Sequence, residues 1–191
     1  MKKLLFLLCI LIIMLVVSNA DYARLPVGAR ELIEQVALPF KLARLSMQEP
    51  DNRIAIPVEG VTVKQIVDTW GASRSGGRVH EGQDIFAVQG TQVRSATEGY
   101  VVRVGENSLG GKTVFVMGAG GRRYYYAHLD DYARGLSLGD YVTPQTLIGY
   151  VGTTGNAKGT PPHLHFGVYT TGGAIDPLPL LSKVAVSADS D

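Results

Sequence analysis

The chain has 191 residues, 46% of them hydrophobic, and a single cysteine, so it can bury the core of one domain with a short appendage but carries no disulfide framework. With 18 Lys+Arg against 17 Asp+Glu and no basic stripe interleaved with aromatics, the charge balance gives no basis for a nucleic-acid or other polyanion partner.

The N-terminus reads as a targeting segment. Met1-Lys2-Lys3 is basic, Leu4 to Val17 is an unbroken run of fourteen apolar residues, and Ser18-Asn19-Ala20 offers small residues for cleavage. That layout predicts a signal peptide over 1–20, removed after Ala20, and hence an exported protein, periplasmic or secreted. The alternative is a membrane anchor formed by residues 4–17, but this run falls short of the roughly 18 apolar residues that span a bilayer. Cys9 lies inside the run and reads as a small hydrophobe, not as a lipid-bearing cysteine. Export leaves 16 basic against 17 acidic residues and no cysteine, so stability must come from the core.

Residues 21–55 follow a different pattern. Leu32, Ile33, Val36 and Ala37, then Leu42 and Leu45, recur at helical spacing, and Pro39 predicts a break or kink, so the run reads as two short helical pieces. Glu49-Pro50-Asp51-Asn52 signals a turn or linker, and the main domain is expected over 56–180.

That domain reads as mainly β. Apolar and β-branched runs at 92–96, 100–104, 113–117, 123–129, 147–151 and 164–169 are separated by glycine-rich turns such as Gly118-Ala119-Gly120-Gly121. Short strands at this spacing predict a Gly-rich antiparallel sheet, barrel or sandwich, followed by a flexible tail over 181–191.

The four histidines of the chain all lie in segments that suggest site chemistry. In Pro162-His163-Leu164-His165-Phe166, strand alternation puts His163 and His165 on one face, roughly 6–7 Å apart, with Leu164 and Phe166 on the other. In His80-Glu81-Gly82-Gln83-Asp84, a straight strand would hold His80 and Asp84 roughly 13 Å apart, so the segment must bend at Gly82 if both serve one ion. Glu81 is expected to point to solvent. In Tyr124-Tyr125-Tyr126-Ala127-His128, alternation groups Tyr124, Tyr126 and His128 on one polar-aromatic face, with Tyr126 a candidate substrate contact. His80, Asp84, His128, His163 and His165 are therefore expected to converge. Two imidazoles and a carboxylate are ordinary Zn²⁺ ligands, and three protein ligands leave a position for water. The remaining histidines would handle protons.

His80-x-Gly82-x-Asp84, Tyr126-Ala127-His128-Leu129 and His163-Leu164-His165-Phe166, in this order, resemble the M23 family of zinc metallopeptidases, the lysostaphin/LytM type of peptidoglycan endopeptidase. The likeness covers roughly residues 57–180. It implies a mostly antiparallel β-domain with a groove and one Zn²⁺ per chain. It further implies His80, Asp84 and His165 as metal ligands and His128 and His163 as catalytic histidines. Where members of the family often carry Glu after the second motif histidine and its Phe, this chain has Gly167.

The resulting expectation is an exported zinc metalloendopeptidase, acting as a monomer on peptidoglycan peptide and attached to the membrane only if its leader is uncleaved. A non-catalytic regulator of other wall hydrolases is the alternative. A phosphocarrier with two facing histidines would leave Asp84 and the export signal unexplained.

Overall fold

The structure, a computed structural model, describes residues 25–182. The expected signal peptide, the alternative anchor over 4–17, Cys9 and the tail beyond Ser182 lie outside the described residues. The chain divides between Lys41 and Leu42 into two compact units.

Helix α1 spans Val27–Ser46 without interruption and carries Pro39 in its interior. This corrects the expected break. Proline removes only its own N–H bond to the carbonyl four residues earlier, and Gln35 at that position is exposed, so water can take up the freed carbonyl. No helix among the described residues is long and apolar enough to cross a membrane.

The second unit is built from strands β1 Ile54–Ala55, β2 Gln83–Phe86, β3 Gln92–Arg94, β4 Gly99–Asn107, β5 Gly111–Met117 and β6 Arg123–Tyr132. It continues through β7 Tyr141–Val142, β8 Leu147–Val151, β9 His163–Thr170, β10 Gly173–Ile175 and β11 Leu181–Ser182. Nine of them form one curled antiparallel sheet, with β10, β9, β6, β5, β4 and β7 in spatial order. β2 pairs with β9, and β8 with both β3 and β6. β1 and β11 pair in parallel, Ile54 opposite Leu181, and join the entry of this unit to its exit.

Alternation along the strands supplies the core. Val101, Val114, Val116, Leu129, Val142, Ile148, Val151, Leu164, Phe166 and Val168 are all fully buried. Each such side chain contributes about 1.5–3 kcal/mol of burial, which lets a fold without disulfides hold a polar cleft open. β9 is the strand that matters for function, because it pairs with β2 along residues 163–166 and with β6 along 165–169.

Candidate metal centre and flanking histidines

β2 and β9 bring two of the predicted residues together by register alone. Asp84 is the direct cross-strand partner of His165, and Phe86 that of His163. Leu164 and Phe166 point into the core, so His163 and His165 share the opposite face, as alternation predicts.

His80 arrives from the loop before β2. Backbone bonds from Gly71 N–H to the His80 carbonyl and from His80 N–H to the Ala72 carbonyl, each 2.9 Å, hold that loop folded back on itself. The chain bends at Gly82 before entering β2, and a Cβ there would lie 2.7 Å from His165 Cε1 and 2.8 Å from the Phe166 carbonyl oxygen. Gly82 thus serves the site chiefly by leaving room for the imidazole. Glu81 is exposed, on the cleft wall.

The three donor atoms form a near-equilateral triangle. His80 Nε2 is 2.8 Å from His165 Nδ1 and 3.0 Å from Asp84 Oδ1, and the third edge, Asp84 Oδ1 to His165 Nδ1, is 3.1 Å. Ligands about 2.0–2.1 Å from a tetrahedral Zn²⁺ stand about 3.3 Å apart, so these residues fit the ion with little movement. His80 Nδ1 lies 2.7 Å from the Thr69 carbonyl oxygen. A carbonyl only accepts, so Nδ1 carries the proton and the Nε2 lone pair faces the other donors. Two lone pairs and a carboxylate converging in this way require a cation or a proton between them.

Thr69 organises both arms of this segment. Its hydroxyl accepts the Asp84 N–H at 2.9 Å while its carbonyl holds His80. The Oε1 of fully buried Gln83 accepts the Thr69 N–H at 2.9 Å and its hydroxyl at 3.1 Å. On the other side, Arg74 Nη2 donates to Asp84 Oδ2 at 2.5 Å, which leaves Oδ1 for a metal. Burial opposes ionisation of Asp84, but its interactions with His165 and His80, in which any shared proton stays on an imidazole, and the hydrogen bond from Arg74 outweigh it and hold the carboxyl far below the usual range. Burial, against the pull of Asp84, pushes the His165 imidazolium down, which favours the neutral ligand form.

His128 and His163 flank the triangle with ring centroids 5.1 Å apart. His163 Nδ1 donates to the Pro161 carbonyl at 2.8 Å and His128 Nδ1 to the Thr154 carbonyl at 2.9 Å. Both rings therefore turn Nε2 lone pairs toward the cleft, and His163 Nε2 stands 3.9 Å from Asp84 Oδ1. Burial first, then the neighbouring His165 and His163 rings, lower the pKa of His128 to about 4, so it is neutral at pH 7.

Tyr126 is not at the site. It is fully buried, and its hydroxyl accepts the Ala96 N–H at 2.8 Å. Tyr125, on the other phase of the strand, lines the cleft and meets His165 edge-on at 5.8 Å. Strict alternation fails here because His128 has φ 62°, unique among the described non-glycine residues. Between the pairs Val114–Tyr126 and Lys112–Leu129, β5 advances by two residues and β6 by three, so β6 carries a bulge. The extra residue turns His128 to the face that Tyr125 occupies. The resulting open cleft has a volume of about 1060 Å³, lined by all five predicted site residues other than Tyr126, together with Arg74, Arg78, Arg123 and Tyr169.

A curled antiparallel sheet with this cleft has the form of a peptidase domain. Residues 78–177 match the model of Peptidase family M23, and the chain belongs to that family. It is 40% identical over 124 residues to the L-Ala--D-Glu endopeptidase of Bacillus subtilis (strain 168), a match covering 59% of this chain and 38% of that protein. The chain thus spans well under half the length of that relative. It also resembles the catalytic domain of the antimicrobial peptidase lysostaphin from Staphylococcus simulans, with a TM-score of 0.54 and 31% identity over 61% of this chain and 92% of that one. A zinc containing peptidase from Vibrio cholerae superposes with a TM-score of 0.56 and 25% identity, over 69% of this chain and 40% of that one.

Proposed function

We propose that the protein is a zinc-dependent endopeptidase, exported to hydrolyse peptide bonds in peptidoglycan. The observation that carries this reading is the convergence of His80 Nε2, Asp84 Oδ1 and His165 Nδ1 within 3.1 Å of one another, beside two histidines whose Nε2 atoms face the same cleft. The likeness to the Bacillus endopeptidase and the Staphylococcus peptidase supports the substrate, and the likeness to the zinc containing Vibrio peptidase supports the metal. The apolar leader of the sequence supports export.

His80, Asp84 and His165 would hold the ion. When bound, zinc supplies Lewis-acid polarisation of a carbonyl and lowers the pKa of water to about 7. The remaining work falls to the chain. His128 and His163 are fixed by their Nδ1–H bonds with Nε2 unprotonated, so either can take a proton from an attacking water and return it to the leaving amine nitrogen. The carbonyls of Thr154 and Pro161 then stabilise the imidazolium that forms. Arg74, beside His165 and His80, favours the ionised form of Asp84.

The test is digestion of purified peptidoglycan by the zinc-loaded protein, with mass spectrometry of the released muropeptides. New peptide termini are expected and identify the bond. A protein that binds no zinc overturns the reading, and a zinc-loaded protein that releases no fragments points to a regulator.

A further inference from the structure

The bulge that turns His128 into the cleft is held by one side chain outside the set of metal ligands and proton-handling histidines. Thr154 Oγ1 accepts the Lys112 N–H at 3.0 Å and donates to the Leu129 carbonyl at 2.9 Å. Lys112 and Leu129 are the cross-strand pair directly after the bulge. One hydroxyl therefore links the backbones of β5 and β6 at the point where β6 carries its extra residue. The same residue's carbonyl accepts His128 Nδ1–H at 2.9 Å.

The fit around Thr154 is close. A Cβ on Gly111 would lie 2.2 Å from Thr154 Oγ1, and one on Gly155 would lie 2.3 Å from the Gly111 nitrogen. Both glycines have positive φ, and the Asn156 N–H bonds the Leu109 carbonyl at 2.9 Å. The turn before β5 is thereby seated against residues 154–156, and its Gly110 carbonyl accepts the His128 N–H at 2.7 Å. The backbone and the ring of His128 are thus both held by a single assembly with Thr154 at its centre. A left-handed non-glycine residue is strained and persists only where its surroundings enforce it.

We propose that Thr154 is a positioning residue for catalysis. Its hydroxyl fixes the bulge that aims His128, and its carbonyl fixes the imidazole as the Nδ1–H tautomer with Nε2 free to take a proton. The proposal rests on the reading of His128 as a proton-handling group. It predicts a pattern that loss of structure would not give. Because His128 is not in the ligand triangle, zinc content should be indifferent to Thr154, whereas turnover should not.

The experiment compares wild type, Thr154→Val and Thr154→Ser as zinc-loaded proteins. It measures zinc stoichiometry, kcat and KM on a soluble muropeptide, and the His128 tautomer by NMR of ¹⁵N-histidine-labelled protein. Thr154→Val keeps the carbonyl but loses the hydroxyl link that brings His128 to it, so it should keep one zinc and a KM near wild type, lose roughly 10- to 100-fold in kcat, and lose the single Nδ1–H tautomer, with Thr154→Ser restoring both. Wild-type kcat and tautomer in Thr154→Val would overturn the proposal, as would equal impairment in Thr154→Ser or loss of zinc in step with activity. If Thr154→Val does not fold, the tautomer of wild type decides, because an Nε2–H imidazole at His128 contradicts the proposal outright. A wild type that cleaves no muropeptide defeats the peptidase reading, while the tautomer comparison still decides for or against Thr154.

Discussion

Asp84 and His165 face each other across the β2–β9 ladder, with Oδ1 3.1 Å from Nδ1, whereas His163, two residues earlier on β9, faces Phe86. The two histidines of one strand face are thus separated by their partners. Asp84→Ala should abolish both zinc binding and wall hydrolysis. His163→Ala should keep zinc and lose about 10²- to 10⁴-fold in rate, the usual range for a general acid or base. Elemental analysis alongside turbidity loss of a wall suspension checks both, and a fully active His163→Ala would refute the division of roles.

Gly82→Ala should be costly although its backbone requires no positive φ. The added methyl would meet His165 Cε1 at 2.7 Å and the Phe166 carbonyl at 2.8 Å, and the second of these atoms belongs to a paired strand that cannot swing away. A loss of about 1–3 kcal/mol is expected from overpacking, together with weakened zinc binding. Denaturant unfolding and a chelator competition measure the two effects.

Tyr125 and Tyr126 should respond in opposite ways. Tyr126→Phe leaves the buried Ala96 N–H without its acceptor and should cost about 1–3 kcal/mol of stability, with kcat unchanged in the folded protein. Tyr125→Ala should raise KM while leaving zinc content intact, since this ring lines the cleft without belonging to the donor triangle. Unfolding curves and steady-state kinetics on one muropeptide separate the pair.

Removal of metal should lower stability. A ligand that binds only the folded state at a hundredfold over its Kd contributes about 2.7 kcal/mol, so chelation should lower Tm and added zinc should restore it. A melting temperature unmoved by zinc would show that the donor triangle does not hold the ion.

Much of this arrangement is legible in the sequence because strand alternation is a strong local signal. The run from His163 to Phe166 sorts itself into cleft and core without reference to the rest of the chain. The need for a bend at Gly82 follows from strand geometry alone. Tyr126 is misplaced by the same rule, since nothing in Tyr124-Tyr125-Tyr126-Ala127-His128 announces that His128 adopts φ 62° and shifts the phase. Pro39 misleads for a related reason, as a proline's cost depends on whether the freed carbonyl is exposed. Thr69, Gln83, Arg74 and Thr154 carry no local signal. Their roles arise from bonds to residues 10 to 42 positions away, apart from the Gln83–Asp84 adjacency, and only the folded topology creates them.

The ladder joining β2, β9 and β6 has one more consequence. Side chains alternate with a period of two, so a slip of a single residue in β9 would lay Leu164 and Phe166 in the cleft and bury the imidazoles. The donor triangle exists only in molecules that have paired correctly. On the proposed zinc reading, metal stoichiometry is also an assay of native strand register, and in a refolded preparation it should count the fraction of chains that found their proper neighbours.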